Sequence, residues 1–310
     1  MVEPTAGRRE HEVFGRAAAA AERALDAASG ELRSHVTLST ASVYPERTEY
    51  AFRAAADLGY DGVEVMIWGD ESTQDATALQ ELSDRYSMPI RSLHAPTLLV
   101  SQRVWKGGPA PKLTRTADMA VELGAHTVVV HPPFRWQKKY AGGFQQQVED
   151  LARLTDVTIA VENMYPWRGG KREVVAYLPG WDPSEHGYES VTLDLSHTAV
   201  AQQDALELVH VFGGRLKHVH LADGVGNVLD EHRVPGRGTQ KCAEVLHELS
   251  GRGWTGDVVV EIGTRKAKDD AERMGDLQES LEFAREHLAC GSDDACTRTS
   301  TEAATVGEGT

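Results

Sequence analysis

Eight short runs of apolar, mostly β-branched residues alternate with amphipathic stretches through the middle of this chain, and that alternation limits the folds open to it. The runs fall at 36–39, 62–67, 90–94, 126–131, 157–162, 191–195, 216–221 and 258–262. Each is apolar on both faces, as strands covered on both sides of a parallel sheet are. Helical spacing of apolar residues follows at 49–58, 114–123 and 240–250, and Gly59, Gly124 and Gly251 read as helix stops. A strand and helix repeated eight times predicts the α/β class and a closed (β/α)8 TIM barrel rather than an open sheet. A dinucleotide-binding sheet places a glycine-rich turn after its first strand. Here that turn is Ser-Thr-Ala-Ser-Val-Tyr-Pro at 39–45.

The flanks differ from this core. Residues 1–34 read as a helical extension, with an alanine-rich helix over 9–29. Residues 35–290 read as the catalytic barrel, and 291–310, almost without large apolar residues, as a disordered tail. No run reaches the ~20 apolar residues of a membrane span, and the first residues lack a secretory core, so a cytoplasmic protein is expected. Cys242, Cys290 and Cys296 show no metal-binding spacing and fit a reduced compartment. A net charge of −15 gives no basic footprint for nucleic acid.

Ionisable residues gather where the strands end. His94, His131, Glu162, Asp194, His197, His220 and Glu261 lie at or just past six of these ends, and Asp230 and His232 follow in the next loop. Strand ends of such a barrel converge on one mouth. Buried carboxylates and imidazoles are costly together unless a cation holds them. Imidazole plus carboxylate without thiolate suits divalent metal, zinc first and manganese as an alternative, in one to three ions. His218, two residues before His220, is read as pointing outward to the helices.

Loop residues supply substrate contacts. Trp68, Trp105, Trp136 and Trp167 fall in segments at the expected mouth and offer faces for a sugar ring. Arg135, Arg233 and Arg237 lie in the same segments and are candidates for an anionic group. The turn Gly236-Arg237-Gly238 offers backbone amides to an anion.

These motifs together resemble the xylose-isomerase-like barrels, which include sugar-phosphate isomerases and epimerases and the apurinic endonuclease IV group. The resemblance spans roughly 35–288 and rests on Gly-Tyr-Asp-Gly-Val-Glu (59–64), His-Pro-Pro (131–133), Val-Glu-Asn (161–163), Asp-Leu-Ser-His (194–197), His-Leu-Ala-Asp (220–223) and Asp-Glu-His-Arg-Val-Pro-Gly-Arg-Gly (230–238). An isomerase arrangement implies one ion on Glu162, Asp194, His220 and Glu261, with His197 on substrate and Glu162 and Glu261 as the acid/base pair. An endonuclease arrangement implies three zinc ions: His94, His131 and Glu162 on one, the same four residues on the second, and His197, Asp230 and His232 on the third. The loop after Glu162-Asn163 and the segment 221–229 depart from the endonuclease pattern. The expectation is therefore a metal-dependent isomerase or epimerase of a small, polyhydroxylated sugar or sugar phosphate. A zinc phosphoesterase is the alternative.

Overall fold

The computed structural model describes residues 34–97, 103–169 and 172–289. The helix expected over 9–29, the tail from 291, and Cys290 and Cys296 lie outside these residues. Eight parallel strands close on themselves: β1 (His35–Ser39), β2 (Val63–Met66), β3 (Ile90–His94), β4 (Thr127–Val130), β5 (Thr158–Glu162), β6 (Val191–Asp194), β7 (Leu216–Leu221) and β8 (Asp257–Val260). Each pairs with its sequence neighbours, and β1 completes the ring through β8, with Val36 beside Val258 and Leu38 beside Val260.

Helices cover the outside: α1 (Thr48–Leu58), α2 (Ala76–Tyr86), α3 (Pro109–Leu123), α4 (Phe144–Thr155), α5 (Leu195–Ala201), α6 (Ala205–Phe212), α7 (Cys242–Gly251) and α8 (Asp270–Ala289). Their apolar faces, through residues such as Phe52, Leu79, Leu113, Phe144 and Leu277, join the strand valines in one core. Gly59 and Gly124 end α1 and α3 in the left-handed conformation, at φ 81° and 72°, which glycine adopts without a Cβ penalty. Gly251 does not play the expected part. It is the last residue of α7, and Gly253, at φ 65°, takes the left-handed turn two residues later.

A short antiparallel hairpin, Trp167–Gly169 with Arg172–Val174, lies beyond β5. No helix among the described residues is long and apolar enough to cross a membrane.

Candidate metal centre at the barrel mouth

Local structure aims the side chains before any ligand is considered. Asp194 ends β6 and caps α5. Its Oδ1 accepts the His197 backbone N–H at 2.8 Å, so the cap fixes one carboxylate oxygen. Asn163 joins the ends of β5 and β6: its Oδ1 accepts from Asp194 N at 2.7 Å and its Nδ2 donates to Asp194 O at 3.1 Å. Glu261 follows β8 directly, with Ser39 Oγ 3.4 Å from its Oε1. Three imidazoles donate Nδ1–H to backbone carbonyls: His94 to Ala95 O (3.0 Å), His197 to Asn163 O (2.8 Å) and His232 to Glu261 O (2.6 Å). Each leaves Nε2 for the mouth. His232 sits at φ 45°, strained for a residue with a side chain.

All nine strand-end and loop donors come together. Glu162 lies at their centre. Its Oε2 is 3.2 Å from His94 Nε2 and 2.7 Å from His131 Nε2, and its Oε1 is 3.0 Å from His220 Nδ1 and 3.5 Å from His197 Nδ1. His220 Nδ1 also lies 2.8 Å from Glu261 Oε2 and 3.7 Å from Asp194 Oδ2. Asp230 Oδ2 meets His197 Nε2 at 3.2 Å and His232 Nε2 at 3.0 Å, while its Oδ1 accepts from Ser196 Oγ at 2.6 Å.

One donor atom from each of Glu162, Asp194, His220 and Glu261 lies within 4.8 Å of the others, and all four residues are buried. Asp194 Oδ2 is buried there and accepts no hydrogen bond. A buried carboxylate oxygen without a donor is costly in a protein interior and suits a cation. Three carboxylates and one imidazole fit a divalent metal.

Charge coupling in the cluster is strong. Burial opposes charge on Glu162, yet the imidazoles of His131 and His220 hold its carboxyl well below the usual range. Burial likewise opposes charge on Asp230, and His232 and His197 overcome it. His197 is drawn down by burial but pushed up to about 10 by Asp194 and Asp230. The shifts favour the protonated form of His197, His220 and His232 beside the carboxylates, while burial holds His131 down; a cation at this place would supply the same balancing charge.

Two residues of the barrel interior depart from expectation. His218 points inward rather than to the helices, because side chains two apart on a strand share a face. It is fully buried, with Nε2 2.8 Å from Glu64 Oε2. Glu64, on β2, ends the Gly-Tyr-Asp-Gly-Val-Glu motif and is not among the residues expected at the site. It lies beneath the mouth, 3.1 Å from His220 Nε2, and accepts from Ser92 Oγ at 2.7 Å. Its signal was a carboxylate inside an apolar, doubly covered strand.

The loop candidates divide. Trp136 is 62% exposed and stacks on Phe134 with ring centres 4.4 Å apart, and Trp167 is 39% exposed beside them. Trp68 lines a cavity of about 960 Å³ with Tyr44, Arg47 and Arg103. Trp105 is a packing residue instead: its Nε1 donates to Gln74 O at 3.1 Å, and Arg115 covers its face. Arg135 is exposed. Arg233 and Arg237 are engaged by carboxylates, Arg233 by Glu231 at 2.6 Å and Arg237 by Asp276 at 2.8 Å and by Glu279. The amides of Gly236 and Gly238 donate to Asp223 Oδ2 at 3.0 and 2.9 Å, so this chain's own carboxylate fills the expected anion position. A Cβ at Gly238 would stand 2.2 Å from Asp223 Oδ1, which is why glycine is required there. Tyr165, not singled out by sequence, places its ring 5.0 Å from His197.

The xylose isomerase-like TIM barrel pattern matches residues 52–287. The chain belongs to that family. Within it, the chain is 50% identical over 272 residues to an uncharacterized protein of Mycobacterium leprae, covering 82% of this chain and 97% of that one. It is 24% identical over 241 residues to fructoselysine 3-epimerase of Escherichia coli O157:H7, covering 70% of this chain and 86% of the relative. Solved structures of similar fold include a D-tagatose 3-epimerase-like protein (TM-score 0.59, 22% identity, 82% of this chain and 99% of that one) and an AP endonuclease, family 2, from Brucella melitensis (0.56, 20%, 75% and 93%). Likeness at that level establishes the fold and leaves the chemistry to the site.

Proposed function

We propose that this protein is a divalent-metal-dependent epimerase or isomerase of a small polyhydroxylated carbonyl compound. Glu162, Asp194, His220 and Glu261 hold the metal, and zinc or manganese suits their donor set. When bound, the ion polarises a carbonyl and its neighbouring hydroxyl. Glu162 and Glu261 take and return a proton at the adjacent carbon, and His197 contacts the substrate oxygens.

The observation that carries this reading is the pair of glutamates that meet at one imidazole nitrogen, 3.0 and 2.8 Å from His220 Nδ1. Two carboxylates from β5 and from the end of β8 thereby flank one centre. The sequence likeness to an epimerase points the same way. Trp68, Trp136 and Trp167 offer ring faces to a sugar. Arg233 and Arg237 already have carboxylate partners, so those two side chains do not support a phosphate contact.

A second reading has its own support. His94 and His131 both aim Nε2 at Glu162 Oε2, and His197 and His232 both aim Nε2 at Asp230 Oδ2. Two further ions placed there make the site a trinuclear zinc phosphoesterase.

The two readings separate in one experiment. The metal-loaded protein is incubated with a panel of ketoses in D2O and, in parallel, with a phosphodiester and an abasic-site duplex. Deuterium appearing next to the ketose carbonyl, with a new isomer, is the expected result. Phosphodiester cleavage without any exchange overturns the epimerase reading.

A further inference from the structure

The imidazole at the centre of the cluster is held differently from its neighbours. His94, His197 and His232 give Nδ1–H to backbone carbonyls and present Nε2. His220 presents Nδ1 to Glu162, Asp194 and Glu261, and its Nε2 faces Glu64. His220 and Glu64 are both fully buried.

Glu64 is itself held on one side only. Its Oε2 meets two donors, Ser92 Oγ at 2.7 Å and His218 Nε2 at 2.8 Å. Its Oε1 lies 3.1 Å from His220 Nε2 as an ion-pair contact, and neither of those two buried atoms makes a hydrogen bond in the bare site. Ser92 comes from β3 and His218 from β7, so both sides of the barrel fix the plane of this carboxylate. A carboxylate can only accept in its ionised form, and both ring nitrogens of His220 face carboxylates, so a cation that takes Nδ1 would leave the ring proton on Nε2, against Glu64. The lone pair of His220 is then left on Nδ1, toward the three carboxylates. In the other tautomer Nδ1–H points into the centre, where a cation cannot use it.

We infer that Glu64 is a positioning residue for the metal centre: it fixes the His220 ring and tautomer so that Nδ1 is the coordinating atom. Ser92 and His218 act through Glu64 by holding Oε2. The inference rests on the metal reading and not on which substrate is turned over. Partners of this kind typically change metal affinity about 10–100-fold.

Substitution by glutamine makes a sharp test. An amide has one acceptor oxygen, and Ser92 and His218 both demand it. The amide nitrogen then faces His220 Nε2 as a donor, which opposes an Nε2–H and with it coordination through Nδ1. Zn2+ binding to the full-length metal-free protein is titrated by calorimetry against a competing chelator, and the His220 tautomer is read from its ring 15N shifts once Zn2+ is bound.

Glu64→Gln is expected to weaken Zn2+ binding about 10–100-fold and to shift the His220 15N resonances of the Zn2+-loaded protein away from the Nδ1-bound, Nε2–H pattern of the parent. A parent protein that binds no Zn2+ refutes the metal reading itself. Parent binding with an unchanged Kd and tautomer in the variant overturns the role of Glu64 alone. If Glu64→Gln does not fold, Ser92→Ala decides: it removes one of the two donors on Oε2. Weaker Zn2+ binding at unchanged thermal stability supports the inference, and an unchanged Kd overturns it.

Discussion

The two ends of the barrel handle buried charge in opposite ways. At the end where the strands begin, Arg91 of β3 meets Asp257 of β8 at 2.9 Å, and His35 of β1 lies 3.0 Å from the same guanidinium. Arg91 and Asp257 are each 5% exposed. A fixed cation meets a carboxylate there. At the other end Glu162, Asp194, Asp230 and Glu261 gather with no Lys or Arg among the donors, and Asp194 Oδ2 accepts no hydrogen bond. The first arrangement is complete in the chain itself. The second is complete only with protons on imidazole or with a cation from solution. Charge completeness therefore tells the structural end from the chemical end, as expected of a barrel whose strand termini build the site.

The largest effect is expected at the open end. Glu261→Gln should reduce turnover by about 10²–10⁴-fold, the range for loss of a general acid/base. Burial opposes charge on Glu261, yet His220 holds its carboxyl below the usual range, so loss of that charge should also lower thermal stability without metal, modestly. Steady-state rates and a melting curve on the same preparation check both; retained turnover breaks the assigned role.

The closed end should lose more stability. Arg91→Met leaves Asp257 buried without its partner and should cost about 3–5 kcal/mol of stability. Zn2+ stoichiometry of the folded fraction should stay as in the parent. Urea melts with metal titration read both quantities, and a stable variant would show that this pair is not what holds β3 to β8.

Metal removal compares the two ends within one molecule. At free metal near 1,000 times Kd, binding should add about 4 kcal/mol of stability, which a chelator removes. Hydrogen exchange should then rise most around Asp194, His220 and Glu261 and least around Arg91. Uniform exchange across both ends would contradict the contrast.

Much of this was legible in the sequence. Strands buried on both faces carry continuous apolar runs, so eight of them could be found to within a residue or two. Polar residues ending those runs had one place to go, and the nine strand-end and loop donors converge there. Several misses share one physical cause: partners distant in sequence. The ring of Trp105 is covered by Gln74 and Arg115. Arg237 is taken by α8 through Asp276 and Glu279, and the glycine amides around it by Asp223. His218 was misdirected for a different reason, since a spacing of two keeps it on the inner face with His220. Glu64 was overlooked because a carboxylate within an apolar strand has meaning only once His218, Ser92 and His220 surround it.

Smaller effects belong to the rim. Trp136→Ala removes an exposed stacked ring and should leave stability nearly unchanged, while raising KM for a sugar substrate by the equivalent of about 0.5–1.5 kcal/mol. Arg237→Ala breaks an exposed ion pair, costs about 0–1 kcal/mol, and should leave KM alone. A large KM change in the arginine variant would reinstate it as a substrate contact.

The central claim is that Glu162, Asp194, His220 and Glu261 together grip a divalent cation. Metal analysis of the parent and of Asp194→Asn, each freed of metal and dialysed against the same trace of Zn2+, addresses it most directly. The account predicts at least one ion per parent chain, with the ion on these four residues lost or greatly reduced in the variant. A folded parent that retains none, or a variant that retains as much as the parent, contradicts it.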